Sequence, residues 1–333
     1  MSEQNLYHPV TIGNTQIEGN LFLAPLAGYT DVPFRSLCIE MGCSMTVTEM
    51  ISAEGLFRGG EKTLDLLQRA PNEKEYGVQL FMGNTDSLPG ALEKLQEYNP
   101  TFIDINCGCP VPKVTKTGAG SSMMKNPSLI TEIVAMITRT LPIAVSVKFR
   151  LGWDANSLNY LEFAQAALDG GASMLTLHAR TRSQGYAPFA DWTKLKTLKE
   201  YCLQNGYDVP IFGSGDLFHA KDARTMLQET GIDGVMFARG AIGNPFIFQQ
   251  AKDLLAGQEE RTISLEERIS TILRHLDLMI DYYGEKSACI LMRKHSCSYL
   301  KGIAHTAAIK QEVVRATRRE DYLLAMQTLQ ASC

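Results

Sequence analysis

The chain has 333 residues, 45% hydrophobic and 20% charged, with a formal net charge of −4. That balance excludes collagen-like, low-complexity and charge-driven disordered chains, and no apolar run approaches the roughly 18 residues of a membrane span. Eight dispersed cysteines are not a disulfide framework, and the opening MSEQNLYHPV has neither the basic nor the apolar region of a secretory signal, so a reducing, cytoplasmic setting is expected.

In chain order, VTIGNTQIEG (residues 10–19) alternates about Gly13-Asn14 and predicts a β-hairpin that closes a barrel floor. Eight short β-rich apolar runs follow: NLFLAP from Asn20, SMTVTEM from Ser44, YGVQLFM from Tyr76, FIDIN from Phe102, IAVSVKF from Ile143, SMLTLH from Ser173, VPIFG from Val209 and GVMFA from Gly234. Segments with amphipathic helical character separate them. Near-continuous apolar strands alternating with helices indicate a parallel sheet covered by helices, and eight units fit a (β/α)8 TIM barrel. A doubly wound sheet, which more often stops at five or six strands, is the minor alternative. After residue 250 the pattern becomes helix only. SLEERISTILRHLDLMIDYYG opens with Ser264 and Glu267 at capping-box spacing and stops at Gly284, with Ile269, Ile272, Leu273, Leu276 and Met279 on one face. Two or three more helices are expected up to Cys333, which divides the chain into a barrel, 1–250, and a small all-α domain, 251–333.

In such a barrel the functional groups stand on the C-terminal ends of the strands, where this sequence places its polar residues. The first strand ends in APLAGYTD, the third carries Gln79, and the fourth ends at Asn106 and a cysteine loop. The fifth carries Lys148 and Arg150, the sixth ends at His178 and Arg180, the seventh in GSGD (213–216) and the eighth in ARGA (238–241). Glycine-bearing loops after strands seven and eight suit a phosphate site built from backbone N–H groups, with Arg239 adding a bidentate contact. Lys148 and His178 would point into the mouth, as the electronegative edge of a flavin requires. Each feature also has a plain structural reading: a turn, a core hydrogen bond of Gln79, a packed histidine.

Cys107 and Cys109 admit four readings. A metal site lacks a partner C-x-x-C pair. A disulfide across one residue would be strained. A buried packing thiol is common. The fourth is a thiol on a loop above the mouth, largely protonated at neutral pH and able to donate a proton; Cys109, which precedes Pro110, is the better placed.

The runs LAPLAGYTDVPFR, DINCGCPVPKVTKTGAGS, VKFRLGW, LHARTR, GSGD, ARGAIGNPFIF and RKHSCSYLKG together resemble the tRNA-dihydrouridine synthase family, most closely its bacterial B-type branch. The resemblance implies an FMN-binding TIM-barrel catalytic domain and a helical tRNA-binding domain. It also implies NADPH (or NADH) as electron donor, and reduction of specific tRNA uridines to 5,6-dihydrouridine. Under it, Cys109 is the general acid. Pro25, Leu26 and Ala27 lie along the flavin, and Gln79, Lys148 and His178 contact its ring system or ribityl region. Ser214, Gly215, Asp216, Ala238 and Arg239 hold the phosphate end, and Asn106, Arg150 and Arg180 face the target base. The sequence departs from the family at Cys107, where an apolar residue is usual, at Ser214 for Asn, and at Ala238 for Gly. No metal and no membrane is expected, and a monomer is expected. No Rossmann fingerprint marks a nicotinamide site.

From Lys286 to Arg319 eight Lys or Arg face one acid, Glu312, a local charge of +7, whereas residues 1–256 carry −5. A basic helical segment on an otherwise acidic chain suggests RNA phosphate contacts, with Arg293, Lys294 and Lys301 as candidates. A base in folded RNA must be extruded to react, which favours a deep mouth. The alternative reading is an FMN-dependent barrel reductase of a small pyrimidine or enone, which needs no basic tail. A third is an RNA-binding protein on an inactive barrel.

Overall fold

A computed structural model of the protein describes residues 5–332. Strand β1 (Val10–Ile12) pairs antiparallel with β2 (Thr15–Ile17), and Gly13 takes φ +58°, the left-handed value that such a tight turn needs. Nine further strands are β3 (Leu21–Leu23), β4 (Met45–Val47), β5 (Ile51–Ser52), β6 (Tyr76–Phe81), β7 (Phe102–Cys107), β8 (Ala144–Arg150), β9 (Met174–His178), β10 (Ile211–Ser214) and β11 (Gly234–Phe237). They form one parallel sheet in which β11 returns to β3 and β4 pairs with β6, closing a barrel. The eight apolar runs are β3, β4 and β6 to β11, so the TIM barrel read from the sequence is the fold. Their almost continuously buried patterns explain the missing polar alternation: one face meets helices, the other the barrel interior.

The hairpin seals the floor. Val10, Ile12 and Ile17 pack with Phe22, Met45, Phe102, Met174, Phe212 and Met236, most of them at the N-terminal ends of the barrel strands. The mouth is thereby left as the open end.

The second barrel strand is broken, which the sequence did not suggest. Between β4 and β5, Thr48 to Met50 leave the ladder; Thr48 N–H donates to Gly77 O (2.9 Å), while the Thr48 hydroxyl accepts the N–H of Gln79 (3.1 Å). A bulge of this kind re-aims side chains beside a site, and here it turns Met50 into the mouth.

The helix Ile247–Leu255 crosses the expected division at 250/251, and its Phe248, Ala251 and Leu255 belong to the barrel core. The chain then passes to the helices Leu265–Tyr283, Glu285–Tyr299, Ala307–Arg315 and Arg319–Ala331, which have a second core of their own. The first starts on the expected capping box: Ser264 Oγ accepts Glu267 N–H (3.1 Å) and the Glu267 carboxylate accepts Ser264 N–H (3.0 Å). It ends at Gly284 with φ +75°. The helical part docks on the barrel helix Val32–Glu40. Leu37 enters the second core, and Phe34 lies beside the rings of His275 and His295 at 5.3 and 5.2 Å.

Candidate active site

Strand β7 delivers Asn106 to the mouth and then turns sharply. Asn106 Oδ1 accepts the N–H of Cys109 (2.9 Å) and of Gly108 (3.3 Å), an Asx-type cap that ends the strand and fixes the loop. Arg150 Nε donates to Gly108 O (2.7 Å), and the N–H and hydroxyl of Ser121 both donate to Cys109 O (3.0 Å each). Gly120 has φ +60°, and a Cβ there would stand 2.7 Å from Cys109 O. The cysteine backbone is therefore held on both sides. Cys109 is half-buried and faces the cavity. Burial pushes its thiol upward despite the Val111 N–H and the Arg150 charge, so it is a protonated donor at neutral pH. Cys107 is the opposite case: wholly buried, with Sγ 3.4 Å from the sulfur of Met123, it is a packing thiol. Cys107 is the last residue of β7 and points into the core, whereas Cys109 lies beyond the strand on the loop that Asn106 caps.

Beneath the loop runs a buried polar chain. Asn106 Nδ2 donates to Gln79 Oε1 (2.8 Å), Gln79 Nε2 donates to Asp104 Oδ2 (2.6 Å), and Ser146 Oγ donates to Asp104 Oδ1 (2.7 Å). Burial pushes Asp104 up to about 6, moderated by Gln79, Ser146 and Lys148. Burial also lowers Lys148, to about 8, with Asp104 acting to raise it and Arg150 to lower it. Lys148, half-buried in the cavity wall, thus keeps a proton near neutrality because Asp104 opposes its desolvation.

His178 cannot share that charge. Burial and the cations Arg150, Lys148, Arg180 and Arg239 hold it far below the ordinary histidine range. It is a neutral hydrogen-bonding group, not a second cation. Arg180, expected to face the base, does not line the cavity. It is 1% exposed and lies behind the wall, with Nη2 on both oxygens of Asp216 (2.7 and 2.6 Å), Nε on Pro188 O (2.8 Å) and Nη1 3.2 Å from His178 Nε2. Its guanidinium reaches the loop after the next strand at Asp216 and is held on its own loop by Pro188 O.

At the glycine loops, the Ser214 hydroxyl donates to Met236 O (3.1 Å), so its proton is not free for a ligand. The Asp216 carboxylate accepts from Arg180 and from Ala190 N–H (2.8 Å); burial opposes ionisation there, yet these bonds and Arg239 keep it below the usual range. What remains for an anion are the N–H groups of Gly215, Asp216 and Arg239, which have no acceptor among the described residues, and the Arg239 side chain. Arg239 lies over Tyr186 and Phe218 (4.4 and 5.2 Å to the ring centres) and 3.6 Å from Asp216. Gly240 is required: a Cβ would lie 2.0 Å from Leu217 O.

One cavity of about 490 Å³ gathers Pro25, Leu26, Ala27, Gln79, Asn106, Cys109, Lys148, Arg150, His178, Ser214, Gly215, Asp216, Ala238 and Arg239. That size suits a cofactor-scale ligand. Tyr29, Met50, Tyr186, Phe218 and Ile242 also line it, and sequence reading missed them. Single aromatic residues in loops carry no period, and Met50 depends on the bulge. The tail candidates separate. Lys301 lines a wider open groove of about 1100 Å³ that adjoins the cavity at Asp216, Phe218 and Arg239. Lys294 lies 4.8 Å over the Tyr29 ring and donates to Gly28 O, so it ties the helical part to the loop after β3. Arg293 Nη2 donates to Ala316 O (2.9 Å), an internal brace. Among the described residues no three His, Cys, Asp or Glu side chains cluster as a metal site, and no helix is long and apolar enough to cross a membrane.

The barrel and its mouth define a TIM-barrel protein with a cofactor-sized cavity at the C-terminal ends of its strands. Three solved structures share the fold at low identity. A 2-naphthoyl-CoA reductase complex is 11% identical (TM-score 0.57, 77% of this chain and 53% of that one). Histamine dehydrogenase from Rhizobium sp. 4-9 is 13% identical (TM-score 0.58, 83% and 51%). The third is the 6-hydroxypseudooxynicotine amine oxidase of Pseudomonas geniculata N1, also 13% identical (TM-score 0.55, 81% and 53%). Sequence carries the assignment further: residues 22–332 match the family described as dihydrouridine synthase (Dus). A probable tRNA-dihydrouridine synthase of Treponema pallidum is 43% identical, covering 97% of this chain and 96% of that protein. tRNA-dihydrouridine synthase B of Pasteurella multocida is 33% identical, covering 95% and 94%. The chain belongs to the dihydrouridine synthase family, a family of oxidoreductases.

Proposed function

We propose that this protein reduces the C5=C6 bond of specific uridines in tRNA to 5,6-dihydrouridine, with FMN as the bound cofactor and NADPH or NADH as the electron donor. The observation that carries this reading is a thiol, Cys109, held by its backbone at the mouth of a cavity whose wall also presents the half-buried Lys148. When bound, the flavin supplies hydride to C6 of the uracil after its own reduction by the nicotinamide. Pro25 to Ala27 flank it, and Gln79, Lys148 and His178 offer hydrogen bonds and one positive charge to its ring. Gln79 still has one N–H and one lone pair for this purpose after its bonds to Asp104 and Asn106. The N–H groups of Gly215, Asp216 and Arg239, with the Arg239 guanidinium, receive the phosphate end.

Cys109 gives its proton to C5 as the ring accepts hydride at C6, and its raised affinity for that proton keeps it loaded across neutral pH. Asn106 sets the position of the thiol through two backbone hydrogen bonds. Arg150 locks the same loop from the other side while its own charge remains beside the base. The basic helices, with Lys301 in the open groove, are the surface for the tRNA body.

The test is mass spectrometry of nucleosides from unmodified tRNA incubated with flavin-loaded protein and NADPH. A gain of two hydrogens on uridine, absent with free uridine, is the expected result. A yellow protein that oxidises NADPH yet leaves tRNA unchanged would refute it in favour of a small-molecule reductase.

A further inference from the structure

Trp153, on the turn after β8, has two cations against its ring. Lys125 Nζ lies 3.4 Å from the ring centre and Arg182 Cζ lies 4.5 Å from it. Neither forms a salt bridge with a carboxylate among the described residues. The adjacent acid, Asp154, instead accepts the N–H of Asn156 (3.0 Å). Arg182 Nε is buried without a partner, while Lys125 is exposed, as are Lys113 and Lys116 on the segment leading to it. An indole restrains both cations without neutralising them, so the charge is presented in a fixed place.

The cluster is built on the elements that hold Cys109. Lys125 ends the turn Gly120–Lys125, whose Ser121 donates twice to Cys109 O. Arg182 belongs to the 181–185 turn, whose carbonyls at Thr181 and Gly185 accept from Arg150 Nη1 (2.9 and 3.0 Å), the same side chain that grips Gly108. Arg182 and Ser183 N–H groups donate to Gly152 O and Trp153 O (2.9 Å each). In the strand order of the barrel, β8 stands four places from β3 in either direction. The helical part docks on the helix after β3. The cluster therefore occupies the opposite rim of the mouth.

We propose that Lys125, Trp153 and Arg182 form a second contact for the phosphodiester backbone of the RNA, across the mouth from the basic helices. Phosphate contacts fix register and orientation without reading sequence. Two such contacts on opposite rims would hold the strand over the cavity, and docking here would bear directly on the loop that carries the acid. This inference rests on the tRNA reading above.

The test is tRNA binding by the flavin-loaded, full-length protein across a salt series. The slope of log Kd against log salt should fall by about 0.9 for each RNA phosphate that the protein no longer neutralises. Lys125→Gln alone, at an exposed position, and Lys125→Gln with Arg182→Gln should show one and two such steps, with severalfold weaker binding at low salt. The charge-conserving pair Lys125→Arg with Arg182→Lys should keep the parental slope. Flavin content and melting temperature report folding. Unchanged slopes in both Gln variants, with a parent protein that binds and modifies tRNA, would overturn this inference alone. A parent that binds no tRNA would overturn the functional reading with it.

Discussion

Asp104→Asn isolates the electrostatic role of the buried chain. In the parent, Asp104 is 1% exposed and accepts from Gln79 and Ser146 at 2.6 and 2.7 Å. An asparagine fits the same space: its oxygen takes the Gln79 N–H, and its amide donates to the Ser146 hydroxyl, which rotates to accept. Packing and hydrogen bonds survive, and only the negative charge is removed. Lys148, lowered by burial to about 8, is then without the group that raises it. An opposite charge at short range shifts a pKa by about 1–3 units; with about 2, Lys148 falls to about 6. At about pH 7.5 its protonated fraction would drop from roughly three quarters to about 3%, a change of ~25-fold. The assay is the initial rate of dihydrouridine formation against pH. The group is active when protonated, so the parent rate is present at low pH and lost as pH rises through about 8. Cys109 titrates above the ordinary thiol value and gives a later limb. The variant should lose its rate earlier, by about 2 pH units. It should converge with the parent below about pH 6, where Asp104 itself is protonated. An unmoved limb would refute the reasoning. A uniform loss at every pH would indicate structural damage instead.

Cys109→Ala should cost about 10²–10⁴ in turnover, the usual share of a general acid, with flavin content unchanged by absorbance; Cys107→Ala should keep turnover and lose about 1 kcal/mol of stability in urea melts for the small void left beside Met123. Arg180→Leu strands Asp216 among the glycine loops. A stability loss of about 3–5 kcal/mol and weaker FMN binding by fluorescence titration are expected; retention of both would show the pair to be dispensable. Lys301→Ala should weaken tRNA binding with a shallower salt slope. Arg293→Ala should instead lower the melting temperature of the helical part and leave that slope in place, because its guanidinium is bound to Ala316 O.

The barrel was legible because a parallel sheet buried on both faces must be written as apolar runs at intervals long enough for a covering helix. The cap at Ser264 and the stop at Gly284 were legible because capping chemistry is local in sequence. Strand-end polar residues could be collected in advance since the topology sends all eight C-terminal ends to one mouth. Fourteen of the expected barrel residues do line the cavity.

Sequence alone thus determined the fold class, most of the polar residues at the mouth and, from the place of Cys109 before Pro110 on the loop, which of two neighbouring thiols faces it. Tertiary structure decided what each residue has left to offer there. Arg180, Arg293 and the Ser214 hydroxyl are polar groups at suitable places in the chain, yet each is already bonded to a partner remote enough that no local pattern names it. His178 is neutral because of its burial and because cations from β8, from the loop after β9 and from the loop after β11 converge on it, and Lys148 stays charged because Asp104 lies beneath it. Hydrogen-bond capacity and charge state depend on distances across the barrel, and those exist only once the chain has closed on itself.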